Sequence, residues 1–117
     1  MLDAFVLDRA AILDRLGGDA EIYTMMLEMF LQDVDANCET LGAALAAGET
    51  AVLQREAHTV KGLLATFSDD DGAAEAFAIE QNVKRGELSG LNDAVAGLQA
   101  RLREVAGVLK AELENAG

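Results

Sequence analysis

The sequence predicts an all-α protein, an antiparallel up-down four-helix bundle with a short N-terminal helix packed on it. Three observations support this prediction. The 117 residues include no proline, a residue that interrupts helix interiors. Alanine and leucine, both strong helix formers, are the two most frequent residue types. No alternating apolar and polar run rich in valine or isoleucine suggests a β-strand.

Turn signals divide the chain into five predicted helices, whose ends are placed to within about two to four residues. Gly17 and Gly18 form a turn, and Asp19 is a suitable N-cap for the second helix. Gly48 is typical of the position after a helix end, and Thr50 is a suitable next N-cap. The predicted helices span residues 4–16, 19–46, 50–67, 73–85 and 89–114.

Two further breaks separate the last three helices. Residues 68–72 read Ser-Asp-Asp-Asp-Gly, and their acidic side chains suit the first turn of a following helix. Residues 86–90 begin and end with glycine. Short connections of this kind make consecutive long helices antiparallel neighbours. Because no internal repeat, linker or low-complexity tract occurs, we expect a single domain over residues 1–117.

Composition excludes several classes of function. The formal net charge is −12, with nine basic and 21 acidic residues, which argues against binding to nucleic acid or to an anionic membrane surface. One cysteine cannot form an internal disulfide, so we expect a reducing compartment, the cytoplasm. The first residues do not resemble a signal peptide, and no apolar run is long enough to span a membrane. A single histidine excludes multi-histidine metal sites, and no metal site is expected.

That histidine, His58, is predicted to face solvent near the middle of the third helix. At about 100° per residue, its side chain projects about 140° away from the centre of the apolar stripe of this helix. The spacing of the stripe, alternately four and three residues, is typical of a bundle seam. Its members are Leu53, Ala57, Val60, Leu64 and Phe67.

Gly62 lies one turn after His58 on the same outward side. A glycine inside an exposed helix is less favourable than alanine by about 1 kcal/mol. Its absent side chain would let the backbone of another molecule approach the imidazole. The alternatives are an ordinary surface histidine and a glycine that permits close helix packing, and periodicity alone does not decide. Lys61 and Arg55 either form a small basic spot around His58 or are simply solvated charges.

Residues 57–62, Ala-His-Thr-Val-Lys-Gly, resemble the His-x-x-Lys-Gly motif of histidine-containing phosphotransfer (HPt) domains. Similar positions occur in the same order over roughly residues 7–88. They include residues 16–19, Met26, Leu27, Phe30, residues 41–49, Ile79, Glu80 and residues 84–86. The last predicted helix has only a compatible apolar pattern.

The resemblance implies a phosphoryl carrier of a two-component phosphorelay, without an autonomous catalytic site. His58 would accept a phosphoryl group from a receiver-domain phospho-aspartate or a kinase and pass it to another receiver aspartate. Lys61 would offset the phosphoryl charge, and Gly62 would provide clearance for the receiver. The implied partners are response-regulator receiver domains and a hybrid or sensor histidine kinase. The carrier would be a monomer. It would have no cofactor of its own, because the magnesium ion belongs to the receiver.

Further residues are candidates for the binding surface around His58. Arg55, Ala65 and Thr66 continue the exposed side of the third helix. Glu80, on the next helix, either accepts a hydrogen bond from the imidazole and leaves its other nitrogen as the nucleophile, or is simply a solvated glutamate. Lys84 lies four residues after Glu80, where an ion pair is favourable, and is a candidate to reach the phosphoryl group.

The sequence departs from the family pattern at positions that bear on partner choice. Leu63 and Leu64 follow the motif glycine where small residues are usual, and Leu63 is expected to influence packing of the next helix. Ser68 stands where a glycine is common. The aspartates at residues 69–71 replace a more neutral turn.

Two other functions are compatible with the same fold. The first is an interaction module that binds a receiver or another signalling partner without being phosphorylated. The second is a structural helical domain whose acidic face recruits a basic partner. Met25, Met26 and Met29 lie close together on the second helix, and core packing is expected to account for most of them.

Overall fold

The computed structural model describes residues 3–116 and consists of five α-helices. No β-strand occurs in this part of the chain, and the predicted all-α helical bundle is confirmed. The helices are α1 (Arg9–Arg15), α2 (Ala20–Ala47), α3 (Thr50–Thr66), α4 (Asp70–Lys84) and α5 (Leu91–Ala116). None of the helices in the described residues is long and apolar enough to cross a membrane.

Four helices form a closed ring of contacts around the core. Helix α2 packs on α3 and α5, α4 packs on the same two helices, and α1 rests on α2. The direction of α5 relative to α2 follows from two hydrogen bonds. Tyr23, early in α2, donates to Glu112, late in α5, whereas the amide of Gln99, early in α5, donates to the Cys38 carbonyl. The two helices are therefore antiparallel.

Local signals account for the ends of α2. The Asp19 carboxylate accepts hydrogen bonds from the backbone N–H groups of Glu21 and Ile22, as an N-cap does. Gly48 ends the helix with φ 69°, a left-handed conformation that favours glycine. The sequence predicted Thr50 as the N-cap of α3. In the structure Glu49 is at the cap position, and Thr50 is the first helical residue.

Helix α1 is shorter than predicted. It begins at Arg9, where the Asp8 side chain caps it, rather than at residue 4. Residues 3–8, the N-terminal strap, lie along the bundle instead of forming another helical turn. The Phe5 side chain is buried, and its backbone N–H donates to the Glu104 carboxylate at 2.7 Å. This contact between residues distant in sequence replaces the local hydrogen bonds that a longer helix would have made.

A buried ion pair joins α5 to the start of α4. The Arg101 guanidinium donates two hydrogen bonds to the Asp69 carboxylate, at 2.9 and 2.7 Å, and both side chains are at least 96% buried. The hydrogen bonds from Arg101 to Asp69 raise the pKa of Arg101 further above its already high value. Arg101 also donates to the Asp3 carbonyl, so it anchors the N-terminal strap to the bundle.

Asp69 also explains why α4 begins at Asp70, three residues earlier than predicted. Its carboxylate accepts a hydrogen bond from the Gly72 backbone N–H and caps the helix. A Cβ atom on Gly72 would collide with that carboxylate. The acidic run is therefore the cap and first turn of α4 rather than a connecting loop.

Ser68 stands where a glycine is common in the domains that this sequence resembles, and its backbone conformation explains that preference. It follows α3 with φ 62°, the left-handed region in which glycine is favoured. Arg15, the last residue of α1, donates hydrogen bonds to the Ser68 hydroxyl and to the Thr66 carbonyl. These bonds tie α1 to the end of α3.

The apolar stripe of α3 lies in the core as predicted. Leu53, Ala57, Val60 and Leu64 are fully buried, and Phe67, just beyond the helix, is buried as well. Leu63 is half-buried and lines a hollow together with residues of α2. The opposite side of α3 is consequently left for solvent.

Candidate functional site

His58 lies on the exposed side of α3, as the helical periodicity predicts. Its side chain is 64% exposed. Arg55, one turn earlier, is also exposed and lines an open hollow together with His58 and Glu80. This hollow lies between α3 and α4 and has a volume of about 430 Å³. The imidazole is therefore accessible to a large partner.

Glu80 bridges His58 and Lys61. One carboxylate oxygen, Oε2, lies 2.9 Å from His58 Nδ1, and the other, Oε1, lies 3.1 Å from Lys61 Nζ. Glu80 itself is well shielded, with 13% of its side chain exposed. The contact between Glu80 and His58 is the one that the first of the two interpretations left open by the sequence requires. These three residues form the His58–Glu80–Lys61 cluster.

The cluster determines which imidazole nitrogen carries the hydrogen. Desolvation alone would raise the pKa of Glu80, but the hydrogen bonds from Lys61 and His58 outweigh it and hold the pKa below its usual value. An ionised carboxylate can only accept hydrogen bonds, so Nδ1 of His58 is the donor. In the neutral imidazole, Nε2 then has the free lone pair.

Gly62 leaves bare backbone beside the imidazole. A Cβ atom built on Gly62 would have no neighbour within 4 Å, so the alternative of close helix packing is wrong. Beyond it, Ala65 and Thr66 are exposed, and the Thr66 hydroxyl turns back to donate to the Gly62 carbonyl. The exposed side of α3 that follows His58, formed by Gly62, Ala65 and Thr66, therefore has only short side chains and few projecting polar groups. We call it the low side of α3.

The expected ion pair between Glu80 and Lys84 is not formed. Lys84 is exposed at the end of α4, and among the described residues the ion-pair partners of Glu80 are His58 and Lys61, not Lys84. Lys61 is ion-paired with Glu80, so the surface around His58 holds a carboxylate as well as the cations Lys61 and Arg55. The reason is that Lys61, across the interface between α3 and α4, lies closer to the Glu80 carboxylate than Lys84 does on α4 itself.

Phe77 is a neighbour of the site that the sequence analysis missed. Its ring is 47% exposed, and Lys61 Nζ lies 5.0 Å from the ring centroid. One signal could have identified it, because residues three apart lie on the same face of a helix and Phe77 precedes Glu80 by three. An exposed aromatic ring on the helix face that carries Glu80 is unusual enough to attract attention.

The methionines of α2 also differ from expectation. Met25 and Met29 are exposed, and only Met26 is partly buried, so core packing does not account for most of them. Met26 and Met29 line an apolar hollow of about 120 Å³ that reaches Leu63 and Thr66 on α3. Thr66 lies one turn beyond Gly62, so this apolar surface adjoins the low side of α3.

No grouping of three or more His, Cys, Asp or Glu side chains that could hold a metal ion occurs within residues 3–116. Another hollow, of about 400 Å³, lies where the α2–α3 turn meets the start of α5. Leu53 and Leu91 are among its lining residues, and neither His58 nor Glu80 is. It is separate from the His58–Glu80–Lys61 cluster.

Comparison with known proteins bears on the fold and on the family of the chain. The crystal structure of histidine-containing phosphotransfer protein B from Pseudomonas aeruginosa PAO1 matches with a TM-score of 0.85 and 24% sequence identity, covering 97% of this chain and 98% of that chain. This similarity shows that the two proteins share a fold. No curated protein sequence matches at a significant level. The model of the Hpt domain family matches residues 25–116, which include α3 and α4. The chain therefore belongs to the Hpt domain family, whose members carry out histidine phosphotransfer in phosphorelays.

Proposed function

We propose that His58 is the residue that carries the phosphoryl group. It accepts the group from a phospho-aspartate of a receiver domain, or from a hybrid or sensor histidine kinase, and passes it to the aspartate of another receiver. The observation that carries this proposal is the hydrogen bond between Nδ1 and Glu80. It leaves the nucleophilic nitrogen, Nε2, on an imidazole that is 64% exposed.

The transfer step follows from this arrangement. The Nε2 lone pair forms a bond to phosphorus while the bond between phosphorus and the aspartate oxygen breaks, and the aspartate leaves as a carboxylate with the bonding electrons. The ring then holds a hydrogen on Nδ1 and the phosphoryl group on Nε2, and it carries a positive charge. The adjacent Glu80 carboxylate stabilises that charge, as the aspartate of a catalytic triad stabilises imidazolium. The reverse reaction delivers the group to the next receiver.

Lys61 supplies the complementary charge. Its ammonium group lies one helical turn from His58 and offsets the negative phosphoryl oxygens through charge-assisted hydrogen bonds. The magnesium ion needed for phosphoryl transfer at a receiver aspartate belongs to the receiver, and the carrier uses no cofactor of its own. In this proposal the chain is a substrate of phosphotransfer, without an independent catalytic site.

The surface around Gly62 supports docking of a receiver. The low side of α3 lets a partner approach His58 closely, and the exposed Met29, which lines a hollow together with Thr66, supplies apolar contact area beside it. Methionine is well suited to surfaces that bind more than one partner, since its side chain adapts to different shapes. We infer a monomeric carrier in the cytoplasm, in agreement with a single, buried and unpaired cysteine.

Gly62→Gln is expected to slow transfer by at least about tenfold, equivalent to about 1.4 kcal/mol in the barrier. The added side chain would project into the space that the receiver occupies, whereas its Cβ atom would meet no neighbour within 4 Å in the free carrier. The measurement is the initial rate of phosphoryl transfer between a phosphorylated receiver and the carrier.

Gly107→Gln provides the matched control for this variant. Gly107 is also an exposed helical glycine with no neighbour within 4 Å of an added Cβ, but it lies on α5. Both substitutions are expected to stabilise their helices slightly, by up to about 1 kcal/mol, and only Gly62→Gln should slow transfer. Equal transfer rates in the two variants would contradict the clearance role.

Glu80→Ala is expected to reduce the rate at which His58 accepts the phosphoryl group by about tenfold. The lost hydrogen bond to a charged group is worth about 1.5 kcal/mol at the lower end of the usual range. In addition, Nδ1 would no longer be held as the donor. The imidazole ¹⁵N resonances measure this directly, because the chain has one histidine.

The wild-type spectrum at neutral pH should show the hydrogen on Nδ1, and Glu80→Ala should show a mixture of both tautomers. Glu87→Ala, which removes an exposed glutamate from the segment after α4, is the control and should change neither the spectrum nor the rate. A wild-type spectrum with the hydrogen on Nε2 would contradict the proposed role of Glu80.

The proposed function is tested by incubating the carrier with each phosphorylated receiver of the source organism. At least one receiver should transfer acid-labile phosphate to the carrier within minutes and accept it back. If receivers bind but none transfers phosphate, the chain is an interaction module and the proposal is wrong. If binding occurs only to a basic partner and is lost at high salt, the acidic surface is the functional feature.

A further inference from the structure

The Lys61 ammonium group has two neighbours on α4. Glu80 Oε1 lies 3.1 Å from Nζ, and the Phe77 ring centroid lies 5.0 Å from the same atom. The ammonium group is therefore held between a carboxylate and an aromatic ring. The carboxylate supplies charge, and the ring supplies a flat, negative face within the usual range of a cation–π interaction.

Lysine is difficult to hold in one position. Its charge sits at the end of a flexible four-carbon chain, and ordering such a side chain requires specific contacts. A single hydrogen bond to Glu80 fixes the distance of Nζ from the carboxylate but leaves its direction open. The ring of Phe77 removes that freedom, because it limits the ammonium group to one side of the carboxylate.

The position of Phe77 is not explained by packing in the core. Phe77 is 47% exposed, so its burial contributes less to the stability of the core than that of a fully buried aromatic residue. Within residues 3–116, the specific side-chain interaction that Phe77 makes is its cation–π contact with Lys61. An exposed aromatic ring whose specific contact is with a residue of the phosphoryl site suggests a role at that site.

We propose that Phe77 is a positioning residue for phosphotransfer, which acts by fixing the Lys61 ammonium group beside the imidazole. This inference rests on the proposed function of His58. Because Lys61 offsets charge on the phosphoryl group during transfer, a misplaced ammonium group slows the chemical step and leaves receiver binding unchanged. A ring that merely contacted the receiver would have the opposite effect, a higher KM at an unchanged kcat.

The test compares Phe77→Leu with Phe77→Tyr. Leucine keeps an apolar side chain but removes the aromatic face, whereas tyrosine keeps the face. Exposed cation–π contacts correspond to about a two- to fivefold change in rate. At saturating phosphorylated receiver, Phe77→Leu is expected to lower kcat by this amount with KM unchanged, and Phe77→Tyr is expected to retain the wild-type kcat.

A double-mutant cycle tests whether the ring acts through Lys61. In a Lys61→Met background the ammonium group is absent, so adding Phe77→Leu should cause no further loss of kcat. If Phe77→Leu has the same effect in both backgrounds, or if it raises KM alone, the positioning role is refuted. Leu88→Ala, which truncates another half-exposed apolar side chain beyond α4, should leave both constants unchanged.

A structural measurement separates this inference from the proposed function. A side chain over an aromatic face experiences ring-current shielding, so the ε-methylene protons of Lys61 should resonate upfield of ordinary lysines. The shift should disappear in Phe77→Leu and persist in Phe77→Tyr. Absence of the shift in the wild-type protein refutes the positioning role, whereas failure of every receiver to label His58 refutes the proposed function itself.

Discussion

His58→Gln is expected to abolish phosphorylation of the chain while leaving its helix content unchanged. Glutamine approximates the size of the imidazole, but its amide nitrogen has no lone pair available for attack on phosphorus. The side chain is 64% exposed and is not part of the buried core, so the fold is expected to be unchanged. The measurement is acid-labile phosphate on the carrier after incubation with a phosphorylated receiver.

The composition makes this experiment unusually clear. Because the chain contains one histidine, any acid-labile label that persists in His58→Gln would contradict the assignment. Thr59→Ala is the matched control, since Thr59 is an exposed neighbour on α3 whose hydroxyl group donates to the Arg55 carbonyl. That variant should be labelled as well as the wild-type protein. Circular dichroism should give the same helical spectrum for all three proteins.

Arg101→Met is expected to lower the free energy of unfolding by about 3–5 kcal/mol. Methionine fills much of the space of the arginine stem, so the main effect is electrostatic. The substitution leaves the Asp69 carboxylate buried without its cation, and it also releases the hydrogen bond that holds the N-terminal strap at Asp3. Chemical denaturation measures the change.

Arg103→Met is the control for this second prediction. Arg103 lies two residues later on α5, and its ion pair with Asp35 is exposed, with 3.5 Å between the charged atoms. Its loss is expected to change the free energy of unfolding by no more than about 0.5 kcal/mol. If Arg101→Met is no more destabilising than Arg103→Met, the buried ion pair does not stabilise the bundle in the proposed way.

Features set by short-range interactions could be predicted from the sequence. The apolar stripe of α3 determines which side is buried, and this in turn places His58 and Gly62 toward solvent. Asp19 and Gly48 mark the ends of α2 because their capping interactions involve only residues within a few positions. The His-x-x-Lys-Gly spacing is equally local, since its residues lie on adjacent turns of one helix.

Features that depend on distant residues could not be predicted in the same way. The N-terminal strap is not helical because Phe5 bonds to Glu104, and nothing near residue 5 indicates this partner. The early start of α4 depends on Asp69, which both caps the helix and pairs with Arg101. In each case the local segment is also held by a residue of α5 that lies far away in the sequence.

The candidate site shows the same division. Its α3 residues were predictable from one helix, whereas the contribution of α4 depended on how the two helices align. The choice of Lys61 rather than Lys84 as the ion-pair partner of Glu80 follows from that alignment. Phe77 was missed for the same reason, because its significance comes from the ammonium group opposite it.

The location of His58 in the middle of a helix has a consequence for how a receiver recognises the phosphorylated carrier. Residues of the His58–Glu80–Lys61 cluster stand on two packed helices and not on a loop that could reorder. A switch of shape requires an element with two stable arrangements, and the cluster is built on none. The loaded and empty carriers should therefore have the same outline, and each receiver must distinguish them by the phosphoryl group alone. The signal is therefore the transferable phosphoryl group itself, and the conformation of the helical bundle that carries it is expected to stay the same.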